Sequence, residues 1–136
     1  MDVLLQNEWV QTVANYSVTI LMLVVFLAIF ETVTSYNNWE EIKGGNVAVA
    51  MATGGKIVGT ANIFAATIQH SDGLLVMLMW GIFGFALLLF SYFIFEFLTP
   101  GFKVDEEIKN DNRAVGLLSL LLSVGLSFVI SASITA

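Results

Sequence analysis

Long apolar runs separated by short polar segments set the pattern of this chain. No charged residue lies between Glu8 and Glu31, between Asp72 and Glu96, or from Ala114 to Ala136. A fourth run, Gly44 to Ser71, is interrupted only by Lys56. A helix needs roughly 20 apolar residues to cross about 30 Å of hydrocarbon, and each run reaches that length. The pattern predicts four transmembrane helices, near residues 13–35, 46–69, 73–98 and 112–134. A β-barrel strand would alternate apolar and polar positions, whereas Leu21-Met22-Leu23-Val24-Val25-Phe26-Leu27 is apolar throughout. The polar segments around 36–45 and 100–111 are too short to fold alone. The expected fold class is therefore all-α, a four-transmembrane-helix bundle.

Composition narrows the chemistry. Of 136 residues, 57% are hydrophobic and 12% charged, about half the charge of a soluble domain. The absence of cysteine excludes disulfide scaffolds, thiol catalysis and Cys-zinc or iron–sulfur sites. A single histidine, His70, leaves no room for a multi-histidine metal site. No metal, cofactor or catalytic residue is expected. The net charge of −6 argues against nucleic acid and against a polybasic grip on anionic lipid. The first ten residues carry Asp2 and Glu8 but no Lys or Arg, unlike the basic start of a signal peptide. The first span is thus expected to stay attached.

The chain carries an internal duplication. Glu40-Glu41-Ile42-Lys43 recurs as Glu106-Glu107-Ile108-Lys109, an offset of 66 residues. At that offset Asn46, Ala48, Val49, Val58, Gly59, Ala66 and Ile68 meet Asn112, Ala114, Val115, Val124, Gly125, Ala132 and Ile134. Upstream, Ile29-Phe30-Glu31 and Thr34 meet Ile94-Phe95-Glu96 and Thr99 at an offset of 65. Two units are read, 1–69 and 70–136, each one helical hairpin. Two spans per unit preserve orientation, so the hairpins are expected to be parallel rather than inverted.

The pattern Asn37-x-Trp39-Glu40…Ile42-Lys43…Asn46-x-Ala48…Gly55…Gly59, then Thr99-Pro100…Ile108…Asn112-x-Ala114, resembles the bacterial domain-of-unknown-function family 350, the YjfL-like multi-pass membrane proteins. The resemblance covers about Ile29 to Ile134. It implies a bacterial cytoplasmic-membrane protein built of two paired-helix units. It also implies an association with envelope-stress systems of the phage-shock and flotillin-like kind. It supplies no activity and no role for Lys56.

Several residues stand out for their chemistry. Glu31 and Glu96 occupy equivalent places near the ends of the first and third spans, as an intramembrane polar site or as solvated carboxylates at the headgroup level. Lys56 lies ten residues past Asn46, about 15 Å along a helix and near mid-membrane. It is expected to face the interior and pair with a glutamate, Glu96 rather than Glu31, with an oligomer interface or outer-side water as the alternative. Ala48, Ala52, Gly55, Gly59, Asn62 and Ala66 share one face of the second span, and Ser119, Ser123, Ser127 and Ser131 one face of the fourth. Small faces let helix backbones approach closely in lipid. The alternative is a polar pathway lined by the serines, Asn62 and Lys56. Asn46 and Asn112 suit helix N-caps or an ion or partner site. Trp9, Trp39 and Trp80 read as interfacial or packing aromatics.

The expected function is a non-enzymatic integral component of the cytoplasmic membrane. It would be a scaffold or subunit of an envelope-stress-associated assembly, with the lipid bilayer and further copies of the chain as partners. The alternative is a small ion channel or proton- or ion-coupled transporter using Glu31, Lys56, Asn62 and Glu96. Lys43, Lys103, Lys109 and Arg113 all flank the two longer loops, and the tails and the short turn carry no Lys or Arg. By the positive-inside rule both termini face outward. A reporter fused after Ala136 should be active outside the cytoplasm; activity only inside would reverse the orientation.

Overall fold

The computed structural model describes residues 6–34, 36–70, 73–97, 101 and 103–134, with the side chains of all but 96 and 97. Four long helices and two short ones follow in order: α1 Glu8–Val33, α2 Asn38–Lys43, α3 Val47–His70, α4 Leu74–Phe97, α5 Val104–Lys109 and α6 Arg113–Ser133. Among the described residues there is no strand. The long helices α1, α3, α4 and α6 are each long and apolar enough to cross a membrane. The first starts five residues before the expected boundary. Asn7 accepts from the Trp9 amide at 2.9 Å and so extends the helix upstream.

Helix α3 is the centre of the bundle. Of its most apolar stretch 56% is buried, against 11% for that of α1. This placement explains its composition. Neighbouring helices shield α3 from lipid, so it can carry glycine, threonine, asparagine and lysine where the outer spans need Leu, Val and Phe. The outer spans leave Leu21, Val24, Leu75, Phe90, Leu121 and Phe128 exposed, a surface suited to hydrocarbon and not to water.

The principal packing is α3 against α6. A Cβ added at Gly116 would stand 2.7 Å from the Ala48 Cα, and one at Gly55 would stand 2.8 Å from the Leu120 Cα. One at Gly59 would meet the Ser123 carbonyl oxygen at 3.1 Å. Backbone rests on backbone here, which only the missing side chains permit. Higher up, the Asn62 amide donates to the Ser127 hydroxyl at 3.1 Å, and the Ser131 hydroxyl donates to the Asn62 carbonyl at 3.3 Å. The contacts climb together along both helices, so α3 and α6 run in the same direction.

The other helices lock on by shape. Gly81 and Gly84 of α4 leave notches that Phe64 and Ile63 of α3 fill, each 2.5 Å from where a Cβ would stand. Phe26 of α1 stacks on Phe85 of α4 at 3.9 Å between centroids, and Phe30 meets Phe85 edge-on at 5.2 Å. These rings bind α1 to the bundle through its second half. A smaller buried cluster sits at the loop end, where Val104 and Ile108 of α5 pack on Ala48, Val49, Ala52, Tyr36 and Val115.

Gly55→Ala should lower stability by about 1–3 kcal/mol, the scale of overpacking. Gly54 has nothing within 4 Å of its added Cβ, so Gly54→Ala should change stability by less than about 0.5 kcal/mol. Thermal unfolding of both variants in one detergent checks the pair. Equal effects would mean that the seam yields.

Candidate functional site

The chain reaches its two long helices α3 and α6 through one local design used twice. Each short helix closes with a backbone amide returning to the first turn, Gly44 to Glu40 and Asn110 to Glu106, each at 3.0 Å. The next residue is left-handed, Gly45 at φ +91° and Asp111 at φ +62°. An asparagine then caps the long helix: Asn46 accepts from the Val49 amide at 3.0 Å and Asn112 from the Val115 amide at 3.4 Å.

The two asparagines then diverge. The Asn46 side-chain amide donates to the carbonyls of Ile108 at 3.2 Å and Lys109 at 2.8 Å, at the end of α5. Asn112 donates to the Glu107 carboxylate at 3.3 Å. Asp111 explains why a non-glycine residue holds the left-handed turn. Its carboxylate accepts from the Ala48 amide of α3 at 3.0 Å. An anion there meets the positive end of the α3 dipole. Asn46 and Asp111 together thus fill two of the four free amides of α3 with one residue from each loop.

Above this junction lies the charged centre. Lys56 is 2% exposed. Side chains on a helix lean toward its N-terminus, and the Lys56 ammonium accordingly points back to the Ala52 carbonyl at 3.4 Å. It stands 5.2 Å from the Phe30 ring centroid and 5.1 Å from that of Tyr92, both within cation–π range. Among the described residues, the carboxylate whose charge reaches it is Asp105. Asp105 is 7% exposed, and one of its oxygens accepts the Tyr92 hydroxyl. Lys56, Tyr92 and Asp105 thus join α3, α4 and the loop helix α5 around one buried charge centre.

The remaining candidates lie apart from it. Glu31 is half-buried, two residues from the end of α1. The Glu96 side chain, expected as the Lys56 partner, lies outside the described residues. Asn62 follows Lys56 by six residues, about 9 Å along α3 and about 120° around it, and is engaged with α6. Gly55, Gly59, Ser123 and Ser127 lie in the α3–α6 seam, and Ser119 is buried beside it. Asp105, Tyr92, Phe30 and Asp111 are the participants that the sequence reading did not select. Asp105 carried a signal: Val104, Asp105 and Ile108 share one side of a short helix, so the buried face of α5 includes the acid.

Leaving one buried charge without the opposite charge that acts on it costs up to about 3–5 kcal/mol. Lys56→Met and Asp105→Asn should each destabilise the protein on that scale. The double variant should recover at least about 1 kcal/mol of the summed loss. Unfolding of all four proteins in the same micelles measures this. Additive losses would show that Lys56 and Asp105 act separately.

Residues 4–134 match the family described as Domain of Unknown Function (DUF350). The chain is 62% identical over 129 residues to the UPF0719 transmembrane protein YshE of Bacillus subtilis (strain 168), covering 95% of this chain and 96% of that protein. It is 24% identical over 104 residues to the UPF0719 inner membrane protein YjfL of Escherichia coli (strain K12), covering 76% and 77%. No solved structure matches it. Four membrane-crossing helices and a family match over nearly the whole length lead to one conclusion: this chain is an integral membrane protein of the DUF350 family.

Proposed function

We propose that the protein is a non-enzymatic assembly unit of the cytoplasmic membrane, joining further copies of itself side to side. The observation that carries this reading is the first half of α1. Trp9, Val13, Tyr16, Ile20, Leu21 and Val24 are exposed, while α1 is held to the bundle through Phe26 and Phe30. With Val10, Ala14, Val18 and Thr19 turned inward and the opposite side bare, α1 offers a long lateral face. The polar groups of the interior are meanwhile spent on holding helices together: Asn62 on Ser127, Asn46 on α5, and Asp105 on Tyr92. That use favours a structural role over transport, because Lys56 and Asn62 do not share a line through the bundle. The partner to seek beyond the chain itself is a component of an envelope-stress assembly, as the family resemblance implies.

The lack of cysteine makes the test clean. Tyr16→Cys introduces a single thiol on the exposed face of α1. Oxidation in native membranes should yield a covalent dimer, whereas Phe128→Cys, exposed on α6, should yield far less. Equal yields, or no dimer from Tyr16→Cys, would overturn lateral assembly through α1. Proton or ion flux into proteoliposomes that is lost in Lys56→Met would favour the transport reading instead.

A further inference from the structure

Between α4 and α6 lies a crevice of about 20 Å³, lined by Phe30, Leu88, Ser91, Tyr92, Ser119 and Ser123 among others. Hydroxyls in this bundle ordinarily satisfy themselves on a carbonyl one turn back. Thr12, Thr67, Ser91, Ser127 and Ser133 all do so, at 2.6–2.9 Å. That habit is the usual remedy for a hydroxyl in a membrane helix. Ser119 and Ser123 break it, as do Thr19 and Thr53 elsewhere in the bundle. Among the described residues, neither serine hydroxyl has a hydrogen-bond partner in the chain, although Ser119 is only 2% exposed. Both line the crevice.

We infer that this crevice is a binding site for a single water molecule, held by Ser119 and Ser123 of α6 and by Ser91 and Tyr92 of α4. The volume sets the ligand. One water needs roughly 10–15 Å³ of such space, and 20 Å³ admits little more. The chemistry agrees. A buried water needs two to four polar partners. Ser119 and Ser123 can both donate and accept. Ser91 donates to the Leu87 carbonyl and keeps its oxygen lone pairs. Tyr92 donates to Asp105 and likewise remains an acceptor. No carboxylate lines the crevice, so a neutral ligand fits and a cation does not. The water joins α6 to the Tyr92–Asp105 pair and thereby lends the buried Lys56 centre a polar neighbour within hydrocarbon. This inference is independent of lateral assembly.

Water-edited solid-state NMR of the full chain in bilayers tests it directly. Magnetisation from water should reach Ser119 and Ser123 about as strongly as the loop residue Gly44, and should fail to reach the buried Ile63. Serines as dry as Ile63 would overturn the site. Two variants test the same point through stability. Ser119→Thr and Ser119→Val add the same bulk, but only threonine keeps the hydroxyl. A hydrated site predicts a melting point several degrees lower for Ser119→Val than for Ser119→Thr, with the water signal at Ser123 lost in the valine variant alone. A dry void predicts that valine stabilises at least as much as threonine and that Ser123 is unaffected.

Discussion

The close approach of α3 and α6 is the constraint on which the rest of the bundle depends. Lipid tails are as apolar as leucine, so burying apolar surface supplies no drive for helices to associate inside a membrane. What remains is dense packing and interhelical hydrogen bonds. Gly55, Gly59 and Gly116 bring the two backbones into contact, and that distance is what lets Asn62 reach Ser127 and Ser131. With α6 covering one side of α3, α4 covers another through the notches at Gly81 and Gly84. Only then does α3 lie deep enough to hold a lysine away from lipid.

The lysine in turn fixes the loop end. A charge in hydrocarbon persists where it finds a counter-charge or water. Here the counter-charge comes from outside the spans, on the short helix α5. Its two apolar anchors, Val104 and Ile108, are fully buried and draw Asp105 inward with them. The N-terminal lean of helical side chains brings Lys56 the remaining way, toward Ala52. Both offsets, one residue reaching down and the other drawn in, bring the two charges nearer to each other.

This explains which parts of the structure were legible in the sequence. Span number and approximate bounds follow from charge-free runs, because the membrane's thickness imposes a length that composition alone reveals. The short helices do not follow from the polar segments around 36–45 and 100–111, whose six-residue helices are held by packing at the loop end. The place of Asp105 beside the Lys56 centre does not follow from the apolar runs, because Asp105 lies outside them on a short polar helix. The notches at Gly81 and Gly84 are open to the same reading as Gly55 and Gly59, since three residues apart, like four, puts two glycines on one face of a helix. They differ in that they receive bulky side chains rather than another backbone, and no stripe of small residues surrounds them. Asp111 was illegible for a different reason. Its role is to cap a helix 63 residues upstream, and nothing local announces a partner at that distance.

The two loops share one local geometry and use it asymmetrically. Where the first loop has Gly45, which takes a left-handed turn freely, the second has Asp111, which takes it at a cost of roughly 1–2 kcal/mol. The carboxylate offsets that cost by accepting the Ala48 amide at the N-terminus of α3, where helix dipole and hydrogen bond act together. Asn46 returns the link from the first loop, giving its amide to the end of α5. Each loop therefore completes a helix end that belongs to the other half of the chain. The start of α3 and the end of α5 are thus tied to each other by hydrogen bonds that cross between the two loops. The charged centre at Lys56 sits directly on that joint, which makes the loop end of the bundle its most interdependent part.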